Sequence, residues 1–129
     1  MAESLFDTTV FIDYRRGDQA AKALVKPVLD RLSTASFSPL TVAELWQGKM
    51  RDRREELEYT ALLTVMEEAP LRGNAARTAG YNIRQYGYNQ KAGLFADALI
   101  AATAEERGEL LYTRNDKDMT RFYSNVQRY

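Results

Sequence analysis

Acidic side chains recur where predicted strands end and predicted helices begin. Five acids share this placement: Asp7, Glu44, Asp97, Asp116 and Asp118. Strands that alternate with helices build a parallel sheet whose carboxyl ends share one edge, so four such acids can converge there. Carboxylates a few ångströms apart repel each other, and a divalent cation such as Mg²⁺ or Mn²⁺ offsets that charge. A metal ion held in this way suits the attack of water on a phosphodiester.

The composition removes most other catalytic chemistries. The chain has 129 residues with no cysteine and no histidine, which excludes disulfides, thiolate nucleophiles, serine–histidine triads and histidine-ligated zinc. Any enzyme here must work mainly with carboxylates, Lys, Tyr or hydroxyls. The formal net charge is zero, so binding of nucleic acid would depend on local patches.

The length predicts one domain over residues 1–129. No apolar run approaches the roughly 20 residues that span a bilayer. The start, Met1-Ala2-Glu3-Ser4, lacks the basic and apolar segments of a secretory signal. We therefore expect a cytoplasmic protein with no membrane association.

The pattern of apolar residues predicts an α/β fold, with a central, mostly parallel sheet flanked by helices. Strands are expected over residues 4–7, 35–39 and 110–113, with a last edge strand at 125–129. Helices are expected over 19–33, 40–46, 74–88 and 94–107, with a loop at 87–93. Pro27 should kink or divide the first of these helices, Asp18 is a plausible cap at its start, and Gly108 should end the last.

Four of the five acids also have a purely structural interpretation. Asp7 can cap the turn that follows its strand, and Asp97 can oppose the positive end of a helix dipole. Thr41 and Glu44 have the spacing of a capping box. Asn115 can cap a short helix with Asp118 as its partner.

Two further segments have alternative interpretations. Residues 49–58 are most simply a solvated helical face with the pairs Arg51–Glu55 and Arg54–Glu58, although its basic residues could also contact a phosphate backbone. These basic residues are Lys49, Arg51, Arg53 and Arg54. Three tyrosines, Tyr81, Tyr86 and Tyr88, could stack on bases but at helical spacing are more often core or interface residues.

Four blocks together resemble the PIN-domain family, and within it the VapC-type toxins of toxin–antitoxin modules. The blocks are Asp7-Thr8-Thr9-Val10-Phe11-Ile12-Asp13, Ser38-Pro39-Leu40-Thr41-Val42-Ala43-Glu44-Leu45, Asp97-Ala98-Leu99-Ile100-Ala101-Ala102-Thr103-Ala104 and Leu111-Tyr112-Thr113-Arg114-Asn115-Asp116-Lys117-Asp118. The match spans nearly the whole chain. Two positions depart from the family pattern: Thr9 stands where the first block usually has Asn, and Met119 where the family usually has Phe.

The resemblance implies a Mg²⁺- or Mn²⁺-dependent endoribonuclease that is homodimeric and is silenced by a small cognate antitoxin. Asp7 and Asp97 would be direct metal ligands, with Glu44 and a last acid completing the site and orienting water. Both Asp116 and Asp118 fit the last acid, and Asp116 is slightly preferred because it lies nearer the strand end.

The resemblance leaves two other functions open: an RNA-processing nuclease without an antitoxin, and a PIN-fold binding protein without catalysis. For the toxin, we expect the dimer to use apolar helical surface around residues 57–66. The antitoxin should bury the aromatic side chains Phe11, Tyr14 and Trp46.

Overall fold

The computed structural model describes residues 2–48, 52–86 and 93–129. The elements in chain order are β1 (Ser4–Phe6), α1 (Thr8–Arg15), α2 (Gln19–Leu29), β2 (Ala35–Phe37), α3 (Pro39–Gln47), α4 (Arg53–Thr64), β3 (Glu67–Glu68), α5 (Gly73–Tyr86), α6 (Leu94–Arg107), β4 (Leu110–Thr113), α7 (Asp116–Met119) and β5 (Val126–Arg128).

Within the described residues, the strands form one five-stranded parallel sheet in the order β3-β2-β1-β4-β5. The first strand is therefore central, with β2 on one side and β4 on the other. The strand order reverses at β1, and in open α/β sheets the crevice beyond the carboxyl ends at such a point is where ligands bind. The predicted α/β class is confirmed, and the sheet is parallel throughout.

Side chains of the central strands point alternately to the two faces of the sheet, and this divides the core into two layers. Leu5 and Leu111 pack into a cluster with Ala and Leu side chains of α5 and α6. Phe6, the next residue of β1, packs on the other face with Val10 and Phe11 of α1. Because successive side chains of a strand point to opposite faces, two adjacent residues serve both layers.

The helix that begins after Asp18 is shorter than predicted. Asp18 is its N-cap, as expected, and accepts a hydrogen bond from the backbone N–H of Ala21 at 2.9 Å. The helix ends at Leu29, two residues after Pro27, and Arg31 takes a left-handed conformation with φ of 61°. Leu32 falls within the predicted helix 19–33, but it lies beyond the end of the observed helix and is 80% exposed.

The charged face is largely built as predicted. Arg54 lies 3.6 Å from Glu58, which confirms that pair, whereas Glu55 pairs with Arg15 of α1 at 3.3 Å. The predicted partner Arg51 lies outside the described residues, as do Lys49, Tyr88 and the predicted loop up to residue 92.

Strand β3 was not predicted from the sequence. It consists of Glu67 and Glu68, two exposed acidic residues at the edge of the sheet, and so carries no apolar alternation. None of the described helices is long and apolar enough to cross a membrane.

Candidate active site

Asp7 lies at the carboxyl end of the central strand and is 4% exposed. Its backbone N–H donates to the carbonyl of Tyr112 at 3.0 Å, which ties it to β4. Although Asp7 occupies the N-cap position of α1, its side chain makes no capping hydrogen bond to that described helix. The carboxylate instead accepts from Thr113 Oγ1 at 2.7 Å and from Thr9 Oγ1 at 3.2 Å. The capping interpretation of Asp7 is therefore wrong.

Thr9 performs the orienting role at the position where the family usually has Asn. Its hydroxyl donates to Asp7 and accepts from the backbone N–H of Arg114 at 3.1 Å. One side chain thus links the end of β1 to the turn that follows β4. Thr9 therefore supplies a hydrogen bond that orients Asp7.

Glu44 is held by hydroxyl groups and not by a capping box. The N-cap of α3 is Ser38, whose Oγ accepts from the backbone N–H of Leu40 at 3.1 Å. Thr8 Oγ1 donates to Glu44 Oε1 at 2.7 Å and lies 2.9 Å from Thr41 Oγ1. Because the Thr8 proton is directed to Glu44, Thr41 must donate to Thr8. The predicted Thr41–Glu44 capping box is wrong.

Asp97 is connected to the same edge of the sheet through Asn115. Thr113 Oγ1 accepts from the backbone N–H of Asn115 at 2.9 Å, and Asn115 Nδ2 donates to Asp97 Oδ2 at 2.7 Å. Asn115 does occupy the N-cap position of α7, but its side chain makes no capping hydrogen bond to that described helix. The predicted cap by Asn115 is therefore wrong, since its amide binds Asp97 instead.

The two candidates for the last acid have different surroundings. Asp118 is buried, with 8% exposure. Asp116 is more open, and its Oδ1 accepts a hydrogen bond from Arg128 Nη1 at 2.9 Å. This bond lowers the pKa of the Asp116 carboxyl. A cation already opposes the charge of Asp116.

The donors to the two central acids are neutral. Threonine hydroxyls bind Asp7 and Glu44, so these bonds orient the carboxylates without cancelling their charge. Burial raises the pKa of Asp7, and the nearby charge of Glu44 raises it further, while the bond from Thr113 acts in the opposite sense. The edge of the sheet thus favours a positive charge beside Asp7.

The donor set suits a hard divalent cation, although the acids are not gathered into a tight cluster. In the part of the chain that the structure describes, no three acidic side chains form a group that could hold a metal ion. Mg²⁺ commonly keeps several waters and uses only one or two protein carboxylates. Hydroxyl and amide groups join Asp7 to Asp97 through Thr113 and Asn115, and Thr8, the residue after Asp7, binds Glu44. The four-acid site stays a prediction.

The sequence did not identify the neutral residues that orient the acids. They are Thr8, Thr41, Thr113 and Asn115, of which the sequence treated Thr41 and Asn115 as helix caps. A signal was present, because each lies within three residues of an acid in the sequence. Hydroxyls and amides of this kind are also common at turns and helix ends, so their spacing alone did not separate the two roles.

The fold and the site together define a class of protein: a parallel α/β domain with acids at the carboxyl edge of its central strands. The sequence model of one protein family, the PIN domain, matches residues 4–125 of this chain. This chain belongs to the PIN-domain family, which confirms the resemblance seen in the sequence.

Solved structures with the same fold include complexes of toxins with antitoxins. A toxin–antitoxin complex from Klebsiella pneumoniae contains a chain 26% identical, with a TM-score of 0.74 over 96% of this chain and 95% of that one. VapBC2 from Rickettsia felis bound to a DNA fragment from its promoter is 17% identical, with a TM-score of 0.77 over 98% of each chain. DNA-bound VapBC from Salmonella typhimurium is 18% identical, with a TM-score of 0.74 over 100% of this chain and 98% of that one. No curated protein matches the sequence significantly.

Proposed function

We propose that this protein is a metal-dependent endoribonuclease and the toxin of a toxin–antitoxin pair. PIN domains are generally nucleases. The observation that carries the proposal is the hydrogen-bonded chain that joins Asp7 to Asp97 through Thr113 and Asn115 at the carboxyl edge of the sheet. Glu44 is held beside it by Thr8, the residue that follows Asp7.

Asp7 and Asp97 would hold Mg²⁺ or Mn²⁺, with Glu44 and one of Asp116 or Asp118 completing the site. When bound, the metal ion supplies positive charge that activates water and neutralises a phosphodiester. The protein's own contribution is orientation, since Thr113 fixes Asp7 through a 2.7 Å hydrogen bond. A carboxylate that is held in one rotamer needs little rearrangement to bind a cation.

The toxin assignment is supported by the Klebsiella pneumoniae structure, whose chain is 26% identical and belongs to a toxin–antitoxin complex. A partner of this kind requires accessible apolar anchors. Tyr14 lines an open groove of about 320 Å³ together with Leu29 and Leu62, and Trp46 is 38% exposed. Phe11 is fully buried, so its prediction as an antitoxin anchor is wrong.

A homodimer remains our expectation. On α4, Leu57 is 53% exposed and Val65, just after the helix, is 49% exposed, whereas Leu62 is buried in the core. Exposed apolar side chains on one helix favour an interface with a second copy. Sedimentation should give a dimer at micromolar concentration, and a monomer would contradict the expectation.

The decisive experiment is digestion of RNA by the purified protein with and without Mg²⁺ or Mn²⁺. We expect cleavage only with the metal ion and none by Asp97→Asn. A single-stranded DNA of the same sequence should be run in parallel. Two of the related complexes are bound to DNA, so DNA must be tested as an alternative substrate. Preferential cleavage of DNA would refute the ribonuclease assignment.

Two alternatives are distinguished by simple observations. A PIN-type nuclease that processes RNA without an antitoxin would cleave RNA but would not co-purify with a small protein expressed from the neighbouring gene. A PIN-fold binding protein without catalysis would bind RNA and leave it intact in Mn²⁺.

A further inference from the structure

The last strand of the sheet contacts the turn after β4, residues 113–115, whose groups orient the acids of the site. Strand β5 pairs in parallel with β4, with Thr113 opposite Arg128. Arg128 Nη1 donates to the carbonyl oxygen of Arg114 at 2.7 Å and to Asp116 Oδ1 at 2.9 Å. One guanidinium nitrogen therefore joins the backbone of the turn to the first residue of α7.

Tyr129, the next residue, holds the same turn from another side. The guanidinium carbon of Arg114 lies 4.4 Å from the centre of the Tyr129 ring, and Tyr129 Oη donates to Asp13 Oδ2 of α1 at 2.8 Å. Arg114 Nη2 also binds Asp18 Oδ2 at 2.7 Å. The Arg114 side chain is thus fixed between an aromatic ring and a carboxylate.

The residues of this turn make the bonds that orient the acids. Thr113 donates to Asp7, Asn115 donates to Asp97, and the backbone N–H of Arg114 donates to the hydroxyl of Thr9. These hydrogen bonds depend steeply on distance and angle. Any shift of the turn would therefore disturb Asp7 and Asp97 together.

We propose that Arg128 and Tyr129 are positioning residues of the metal site: they hold the turn after β4 so that its side chains keep Asp7 and Asp97 in place. The inference rests on the proposed function, since it assumes that these two acids bind a divalent cation. Both residues act through the turn and not on the substrate. Because Arg128 also neutralises Asp116, a candidate for the last acid, Tyr129→Leu is the variant that tests the positioning role alone.

The competing explanation is that the two residues only fasten β5 to the sheet. Backbone bonds already do this, because Leu111 N–H donates to the carbonyl of Asn125 at 3.0 Å and the two strands pair over three residues. A purely structural role would lower thermal stability and leave the metal affinity unchanged. The two explanations therefore differ in a measurable quantity.

The test is titration of metal-free protein with Mn²⁺, followed by electron paramagnetic resonance of the free ion. Losing a group that supports a metal ligand typically weakens affinity about 10 to 100-fold, and we expect Arg128→Gln and Tyr129→Leu each to weaken Mn²⁺ binding by about 10-fold. The kcat for RNA cleavage should fall at saturating RNA, with little change in KM.

Conservative variants keep the test valid if either change unfolds the protein. Arg128→Lys retains a cationic donor, and Tyr129→Phe retains the ring beneath Arg114 while removing the hydroxyl, so both should lose less Mn²⁺ affinity than the larger changes. Arg72→Gln is the matched control, because Arg72 forms an exposed ion pair with Glu106 at 3.3 Å.

Asp97→Asn distinguishes failure of the positioning role from failure of the proposed metal site. If Asp97→Asn loses Mn²⁺ while Arg128→Gln and Tyr129→Leu bind it like the wild type, the positioning role is refuted and the metal site stands. If Asp97→Asn binds Mn²⁺ like the wild type, the proposed metal site fails and the positioning role fails with it.

Discussion

Replacing Asp97 by Asn removes a proposed ligand charge while changing almost no volume. In the wild type, Asn115 Nδ2 donates to Asp97 Oδ2 at 2.7 Å, and the oxygen of an Asn side chain can accept the same bond. The bond would lose its charged acceptor, which is worth about 1 kcal/mol. A further ~0.3–1 kcal/mol is lost because Asp97 lies in the first turn of α6 and opposes the helix dipole.

The expected loss in free energy of unfolding is therefore about 1–2 kcal/mol, which corresponds to a fall in Tm of roughly 5 °C for a domain of this size. The fold should survive. Mn²⁺ at about 100 times its Kd should stabilise the wild type by roughly 2.7 kcal/mol and should leave the Tm of the variant unchanged. RNA cleavage by the variant should fall more than 100-fold, beyond the usual loss for a supporting group.

The assay combines thermal melting with and without Mn²⁺ and RNA cleavage across a Mn²⁺ titration. Asp30→Asn is a matched control, because it makes the same chemical change in an exposed ion pair with Lys26 and should cleave RNA normally. Wild-type cleavage by Asp97→Asn would refute the site. Complete unfolding would instead support the structural role of Asp97 at the start of its helix.

Three further predictions follow from other acids. Glu109→Gln should lower the free energy of unfolding by about 2 kcal/mol in thermal melts and spare RNA cleavage, because Glu109 is buried against Arg107; an unchanged Tm would contradict this. Because burial raises the pKa of Asp7, ionised Asp7 destabilises the metal-free protein above that pKa, and the penalty disappears as the pH falls through it; the stability of wild type relative to Asp7→Asn should therefore increase as the pH is lowered from neutral towards the ordinary carboxyl pKa of 3.8, and equal slopes would refute the reasoning. Asp116→Asn and Asp118→Asn should be titrated separately with Mn²⁺, and the metal requirement for cleavage should rise more for Asp116→Asn, since Asp116 lies nearer the strand end. Negligible effects of both changes would remove this segment from the site.

The sequence by itself determined the fold class and the order of the elements that carry the acids. Buried strands at residues 4–6, 35–37 and 110–113 and the helix that ends before Gly108 were all predictable. The reason is that apolar periodicity and the signals at helix ends are local properties of the chain. For the same reason the cap by Asp18 was correctly predicted.

Only the tertiary structure decided which partners the polar side chains of the site have. Thr41 and Glu44 have the spacing of a capping box, yet Thr8, from a different helix, takes the carboxylate. Asn115 stands at a helix start but binds Asp97, 18 residues earlier in the chain. A local pattern gives the bonds that a side chain can make with its neighbours, whereas the packing of the sheet brings in competitors from elsewhere.

The same limit applies to burial and to the last strand. Phe11 and Leu32 both lie in apolar patterns, but Phe11 is fully buried while Leu32 is 80% exposed, because the helix ends shortly after Pro27 and releases Leu32 from the core. The sequence predicted an edge strand that contains Arg128 and Tyr129, but it gave no local signal for the contacts of their side chains. Their contacts with the turn after β4 exist only because parallel pairing sets β5 beside that strand, and strand pairing over this distance is a property of the whole fold.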